Sequence, residues 1–184
     1  MTLFEFLSVA VSIVLALSAG QILLNLRDVF DPSRRYWVHA LWVFHTLLLH
    51  VLVWWSLWAY RDIHWNLATF VLVLVPAALL FICTSALVPN SSSSIDSWET
   101  HFYDVRRWFF ATRSIFIVAA GFRTWFLLDK PLLESPTPVS SFLLVLCASG
   151  IFISDRRFHS LLAIVTVTLL VFGVAYFRLE AGAR

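Results

Sequence analysis

Charged residues are scarce in this sequence. Asp, Glu, Lys and Arg make up 13% of its 184 residues, 60% are hydrophobic, and the mean hydropathy is +0.85. A soluble domain is about 25% charged, so this composition excludes a soluble domain of useful size and is typical of a polytopic membrane protein. The net charge of +2 comes from scattered loop residues, and it gives no reason to expect nucleic acid as a partner.

Cysteine is also rare. Cys83 and Cys147 lie far apart, each inside an apolar run, without the spacing of a thiolate metal site or a redox pair. We expect both to be small buried hydrophobic residues. The sequence contains no nucleophile elbow, P-loop, dinucleotide fingerprint or zincin motif, so it gives no support for an enzymatic activity.

Long apolar runs are what the sequence has in abundance. About 20 apolar residues in a helix span the hydrocarbon core of a bilayer. The pattern therefore predicts an all-α, polytopic transmembrane helix bundle of about six spans that forms a single membrane domain over residues 1–184. The fifth segment is short for a full crossing. The predicted spans are 3–26, 37–60, 65–88, 107–128, 139–153 and 158–177.

The serine-rich stretch 89–100, PNSSSSIDSWET, predicts a flexible cytoplasmic linker. It would divide the bundle into two three-helix halves. Most Lys and Arg residues lie in the loops after the first, third and fifth segments, which predicts that both termini lie outside the cytoplasm. The first segment lacks a basic flank and is too long for a signal peptide, so we expect a retained helix.

The second segment is unusual because it carries His39, His45 and His50 within an apolar run. Histidine inside a bilayer is costly unless it has a partner or faces a protein or water-lined interior. His45 and His50 point about 140° apart on a helix, so they do not form the i, i+4 pair of helical zinc ligands. Two interpretations stay open: neutral hydrogen bonding between helices, or a proton relay or pore lining.

Polar residues follow one side of the first helix towards the cytoplasm, where they would either bond to neighbouring helices or line a polar cavity. They are Ser18, Gln21, Asn25 and Asp28. Gln21 and Asn25, together with Thr46 of the second segment, belong to the same candidate intramembrane site as the histidines. Thr46 lies close to the line that joins His39 and His50 on the second helix.

Two arginines lie inside the fourth segment. Arg113 is placed to snorkel back to the cytoplasmic interface, whereas Arg123 would have to reach against the lean of helical side chains. Glu5 is expected at the same depth as Arg123, so we predict an ion pair between them. Anion or substrate binding by Arg123 is the alternative.

Three histidines fall near the same predicted face of the membrane. His39, His101 and His159 each lie near the cytoplasmic start of an even-numbered segment, and they are weak candidates for a metal site if those helices cluster. No cofactor is expected otherwise. A haem or a transition metal is the alternative, and it would need a ligand from a second helix.

The runs FEFLSVAVSIVLALSAGQILL, YWVHALWVFHTLLLHVLVWWSLWAYRD and FYDVRRWFF resemble a group of small, uncharacterised bacterial multi-pass membrane proteins. The resemblance covers the first two thirds of the chain, and the helix with histidines and paired tryptophans is its most distinctive part. It implies a location in the bacterial inner membrane and brings no activity with it.

These observations predict a small integral membrane protein with a polar intramembrane site or pathway for a proton, an ion or a small solute, as in a channel or transporter. The alternatives are a haem- or metal-binding redox protein and a structural subunit without transport activity. The bilayer is the expected partner. A homo-oligomer is also expected, because six short helices leave little room for a central pathway.

Overall fold

The computed structural model describes residues 2–129 and 137–177, and all the regular structure in this part of the chain is helical. Short 3-10 turns at Leu57–Tyr60 and Ser92–Ser94 follow the third and fourth helices. The α-helices are α1 (Leu3–Leu24), α2 (Leu26–Val29), α3 (Trp37–Ser56), α4 (Leu67–Leu87), α5 (Trp98–Leu128), α6 (Thr137–Phe152) and α7 (Arg156–Phe177).

Among the described residues, five helical stretches are long and apolar enough to cross a membrane. The prediction of an all-α, multi-pass membrane protein is therefore confirmed. The fifth predicted span, 139–153, corresponds to the shorter apolar helix Ser140–Phe152. The five long stretches are Leu3–Leu24, Trp37–Tyr60, Leu67–Ser94, Trp98–Leu128 and Arg156–Gly173.

Helix α4 lies at the centre of the bundle and packs against α1, α3 and α5, while α5 also packs against α6 and α3 against α7. Trp42 and Trp98 are the largest fully buried side chains among the described residues. The indole ring of Trp42 meets the rings of Phe109 and Phe110 edge-on, at 5.4 and 5.1 Å between centroids. Glycine permits the close approach of α6 to α5, because a Cβ atom at Gly150 would lie 2.9 Å from the Phe110 ring.

The stretch 89–100, expected to be a flexible linker, is held against the end of α1. The buried Ser92 hydroxyl donates to Asn25 Oδ1 at 2.5 Å and lies 2.6 Å from Asp28 Oδ2. Arg34 Nη1 donates to the carbonyl of Ile95 at 2.9 Å, and Arg34 also forms ion pairs with Asp28 and Asp31. These contacts fix the connection between α4 and α5.

The turn before α3 is also fixed by hydrogen bonds. The hydroxyl and backbone amide of Ser33 donate to Asp31, and together with Arg34 they hold the pKa of the Asp31 carboxyl below its usual range. Since the folded-state pKa is lowered, this carboxylate stabilises the turn at neutral pH, and that contribution is lost as pH falls through the lowered value.

Candidate functional site

Buried polar side chains concentrate between the long helices. Within residues 2–129 and 137–177, the buried charged side chains are Arg106, Arg113 and Arg123, and no Asp or Glu is buried. Buried positive charge without buried negative charge is costly in a bilayer, so each guanidinium needs a specific explanation.

His50 joins three helices through one hydrogen-bonded chain, which we call the His50 chain (Ser18, His50 and Thr84). Its Nδ1 lies 2.8 Å from the carbonyl oxygen of Thr46, and its Nε2 lies 2.6 Å from the Ser18 hydroxyl. The hydroxyl oxygens of Ser18 and Thr84 are 2.9 Å apart. In that pair Ser18 is the donor. A carbonyl only accepts, so Nδ1 of His50 carries a proton.

His45 of α3 contacts Arg113 of α5, and both side chains are buried. Arg113 Nη2 lies 3.0 Å from His45 Nδ1 and 3.3 Å from Nε2. A guanidinium only donates, so the imidazole nitrogen that faces it is unprotonated and accepts. Arg113 also lies over the ring of Phe116, 5.6 Å from its centroid. The expected snorkelling of Arg113 therefore gives way to a contact inside the bundle.

Two nitrogens of Arg113, and two further donors on the helix that carries His45, are buried without a hydrogen-bond partner in the described part of the chain. They are Nε and Nη1 of Arg113, the hydroxyl of Thr46 and the indole nitrogen of Trp42. An unmade hydrogen bond on a buried group costs about 1–3 kcal/mol, and more for a charged one. The region around Arg113 is thus unsatisfied, whereas the His50 chain is satisfied.

Gln21 and Asn25 serve the end of α1. Gln21 Nε2 donates to the carbonyl of Val88 at 2.5 Å, and Asn25 Nδ2 donates to the carbonyl of Gln21 at 2.8 Å. With the bond from Ser92 to Asn25, these contacts attach α1 to the segment after α4. The structure gives both amides a role in holding this connection.

Glu5 and Arg123 each have partners of their own. Glu5 accepts from the backbone nitrogen of Thr2 at 2.8 Å as part of a capping box at the start of α1. The Arg123 guanidinium lies 4.6 Å from the ring centroid of Tyr60, and its Nη2 is 3.5 Å from the Ser56 hydroxyl. The ion pair between Glu5 and Arg123 stays a prediction.

The three histidines proposed for a metal each contact a backbone carbonyl through Nε2: His39 with Leu87 at 2.9 Å, His101 with Ala86 at 3.0 Å and His159 with Ile153 at 2.8 Å. The ring centroids of His39 and His101 are 6.1 Å apart, while the ring of His159 stacks on that of Phe110. Among the described residues, no group of three or more His, Cys, Asp or Glu is arranged to hold a metal ion.

Sequence reasoning did not identify Arg106 as a buried residue. Its Nη1 donates to the carbonyls of Ile151 at 2.9 Å and Ile153 at 3.2 Å, and its Nη2 donates to the Ser154 hydroxyl at 2.5 Å. The guanidinium thereby occupies the C-terminal end of α6, where helix carbonyls lack partners and the helix dipole favours positive charge.

No protein-family profile, no curated protein and no solved structure matches this chain. The membrane assignment therefore depends on the five long apolar helices. The bacterial origin, the orientation of the termini and the homo-oligomer stay predictions.

Proposed function

We propose that this protein is a small integral membrane protein whose polar interior binds or passes a proton, an ion or a small solute. The observation that carries the proposal is the His50 chain, which links α1, α3 and α4 inside the bundle. His50 is the member of this chain that can take up a proton and become charged.

The chemistry of the chain suits proton transfer. When His50 carries a proton on Nε2, donation runs from His50 to Ser18 and then to Thr84, which is the direction of the bond between the two hydroxyls in the structure. When His50 is neutral with its proton on Nδ1, the Ser18 hydroxyl has to turn from Thr84 and donate to Nε2. Reorientation of the Ser18 hydroxyl would therefore accompany each proton transfer.

The proposal predicts that His50→Gln lowers the pH-dependent part of a proton or ion flux in proteoliposomes. We expect a decrease of about tenfold or more, equivalent to about 1.4 kcal/mol in barrier height. Glutamine cannot take up a proton at neutral pH, although its amide can still hydrogen bond. The measurement is flux at two values of pH, near 5 and near 8, with matched protein content.

His64→Gln is the matched control, because His64 is exposed in the loop between α3 and α4. This variant should keep the flux and pH profile of the unaltered protein. A folded His50→Gln protein with the same flux and pH profile would contradict the proposal.

A structural subunit is the second candidate function. It is favoured by the contacts of His39, His101, His159 and Arg106, all of which bond to backbone carbonyls near helix ends. Such contacts stabilise the bundle without any ligand. The redox alternative has a simple test, because a haem protein would show a strong Soret band in the visible spectrum after purification.

A further inference from the structure

Arg113 is a buried cation, and none of the described carboxylates is buried with it to balance its charge. It is the middle residue of α5, and its side chain is 4% exposed. An arginine stays protonated in proteins, so its charge cannot be removed by loss of a proton.

The groups that face Arg113 are neutral. His45 accepts from its Nη2, and Phe116 offers a ring face. The two cysteines of the chain, Cys83 and Cys147, are free and buried, and a buried free cysteine is a small neutral group. The local charge is therefore a single positive one.

Two unpaired donors of α3 lie close in sequence to His45, the residue of α3 that contacts Arg113. Trp42, His45 and Thr46 lie within one helical turn, and the rings of Trp42 and His45 are 5.4 Å apart. The Trp42 indole nitrogen, the Thr46 hydroxyl, and Nε and Nη1 of Arg113 are buried without partners in the described part of the chain. All four atoms can donate hydrogen bonds, and the two nitrogens of Arg113 belong to a cation.

We propose that Arg113 holds a small monovalent anion of the chloride type inside the bundle, with Thr46 as a second donor. One positive charge calls for one negative charge, since an unpaired ion within the bilayer is costly. The aromatic rings of Trp42 and Phe116 beside the site favour a small ion over a bulky organic acid. This inference deepens the proposed function, because it names the ion that the polar interior would take.

The test is thermal unfolding of the purified full chain in detergent, with chloride titrated against gluconate at constant ionic strength. Binding to the folded state raises the unfolding temperature in proportion to the logarithm of ligand concentration once the site fills. We expect such a rise in the unaltered protein, and we expect Arg113→Gln to abolish it. Arg107→Gln, which removes an exposed arginine of the same helix, should keep it.

A second variant covers the case in which Arg113→Gln does not fold. Thr46→Val removes one donor and keeps the charge, so it should move the chloride titration to about tenfold higher concentration. An unchanged titration in this variant would overturn the site. So would an unaltered protein whose unfolding temperature does not change with chloride concentration, because Arg113 would then hold no chloride in the folded state.

The chloride titration requires no transport, which separates its failure from that of the proposed function. His50→Gln should retain the chloride-dependent rise even if it loses flux. A protein that binds chloride and shows no flux would keep the site and remove the transport role. A protein with His50-dependent flux but no effect of chloride would keep the transport role and remove the chloride site.

Discussion

Trp42→Ala should lower the free energy of unfolding by about 3–5 kcal/mol, the range observed when a buried Trp or Phe is truncated in a packed core. The Trp42 ring is 0% exposed and touches Phe109 and Phe110 from two sides. Lipid tails are as apolar as these side chains, so the decrease in stability comes mainly from lost van der Waals contacts between helices. Reversible unfolding in mixed micelles measures the free energy of unfolding of both proteins.

Trp108→Ala is the matched control for this prediction. Trp108 is in the helix that carries Phe109 and Phe110, yet its side chain is 63% exposed. Its removal should change the free energy of unfolding by no more than about 0.5 kcal/mol. Equal losses in the two variants would show that Trp42 does not hold α3 against α5.

Arg106→Gln should lower the free energy of unfolding by about 2–4 kcal/mol. Hydrogen bonds to a charged group contribute about 1.5–3 kcal/mol each, and the substitution would leave buried acceptors without donors. The Arg106 guanidinium bonds to the carbonyls of Ile151 and Ile153 and to the Ser154 hydroxyl. Glutamine can replace one of these bonds at most. The same unfolding assay applies, with hydrogen exchange of the α6 end as a local measurement.

The neighbouring residue supplies the control. Arg107 is exposed, so Arg107→Gln should leave both the free energy of unfolding and the exchange of α6 close to their original values. If Arg106→Gln were as mild as Arg107→Gln, the end of α6 would owe its stability to other groups.

The apolar runs predicted three helices closely. The predicted spans 3–26, 37–60 and 65–88 correspond to Leu3–Leu24, Trp37–Tyr60 and Leu67–Leu87. The fourth predicted span, 107–128, lies within α5, which begins at Trp98. Hydropathy identifies the membrane part of a helix and not its polar extension, so the sequence prediction began too late. Ser97, which caps the start of α5, was the available local signal.

The contacts of the candidate site were less predictable. Inward-facing polar residues such as His45 and Ser18 can be recognised from a single helix, but their partners come from helix packing. Thr84 has the same local pattern as any threonine in an apolar helix, and its proximity to Ser18 depends on α1 packing against α4. Arg106 and Arg107 are adjacent and chemically identical, and only the position of α6 decides which one is buried.

The central claim is that His50 takes up and releases a proton inside the membrane through its bond to Ser18. The most direct measurement is the nitrogen-15 NMR spectrum of histidine-labelled protein in lipid bilayers, with His50 assigned by its loss in His50→Gln. At pH 8 we expect neutral His50 with the proton on Nδ1, as its contact with Thr46 requires. On lowering the pH towards 5, the Nε2 signal should move to the position of a protonated imidazole. An Nε2 signal that stays at the neutral position throughout would contradict the claim and leave His50 as a structural link between helices.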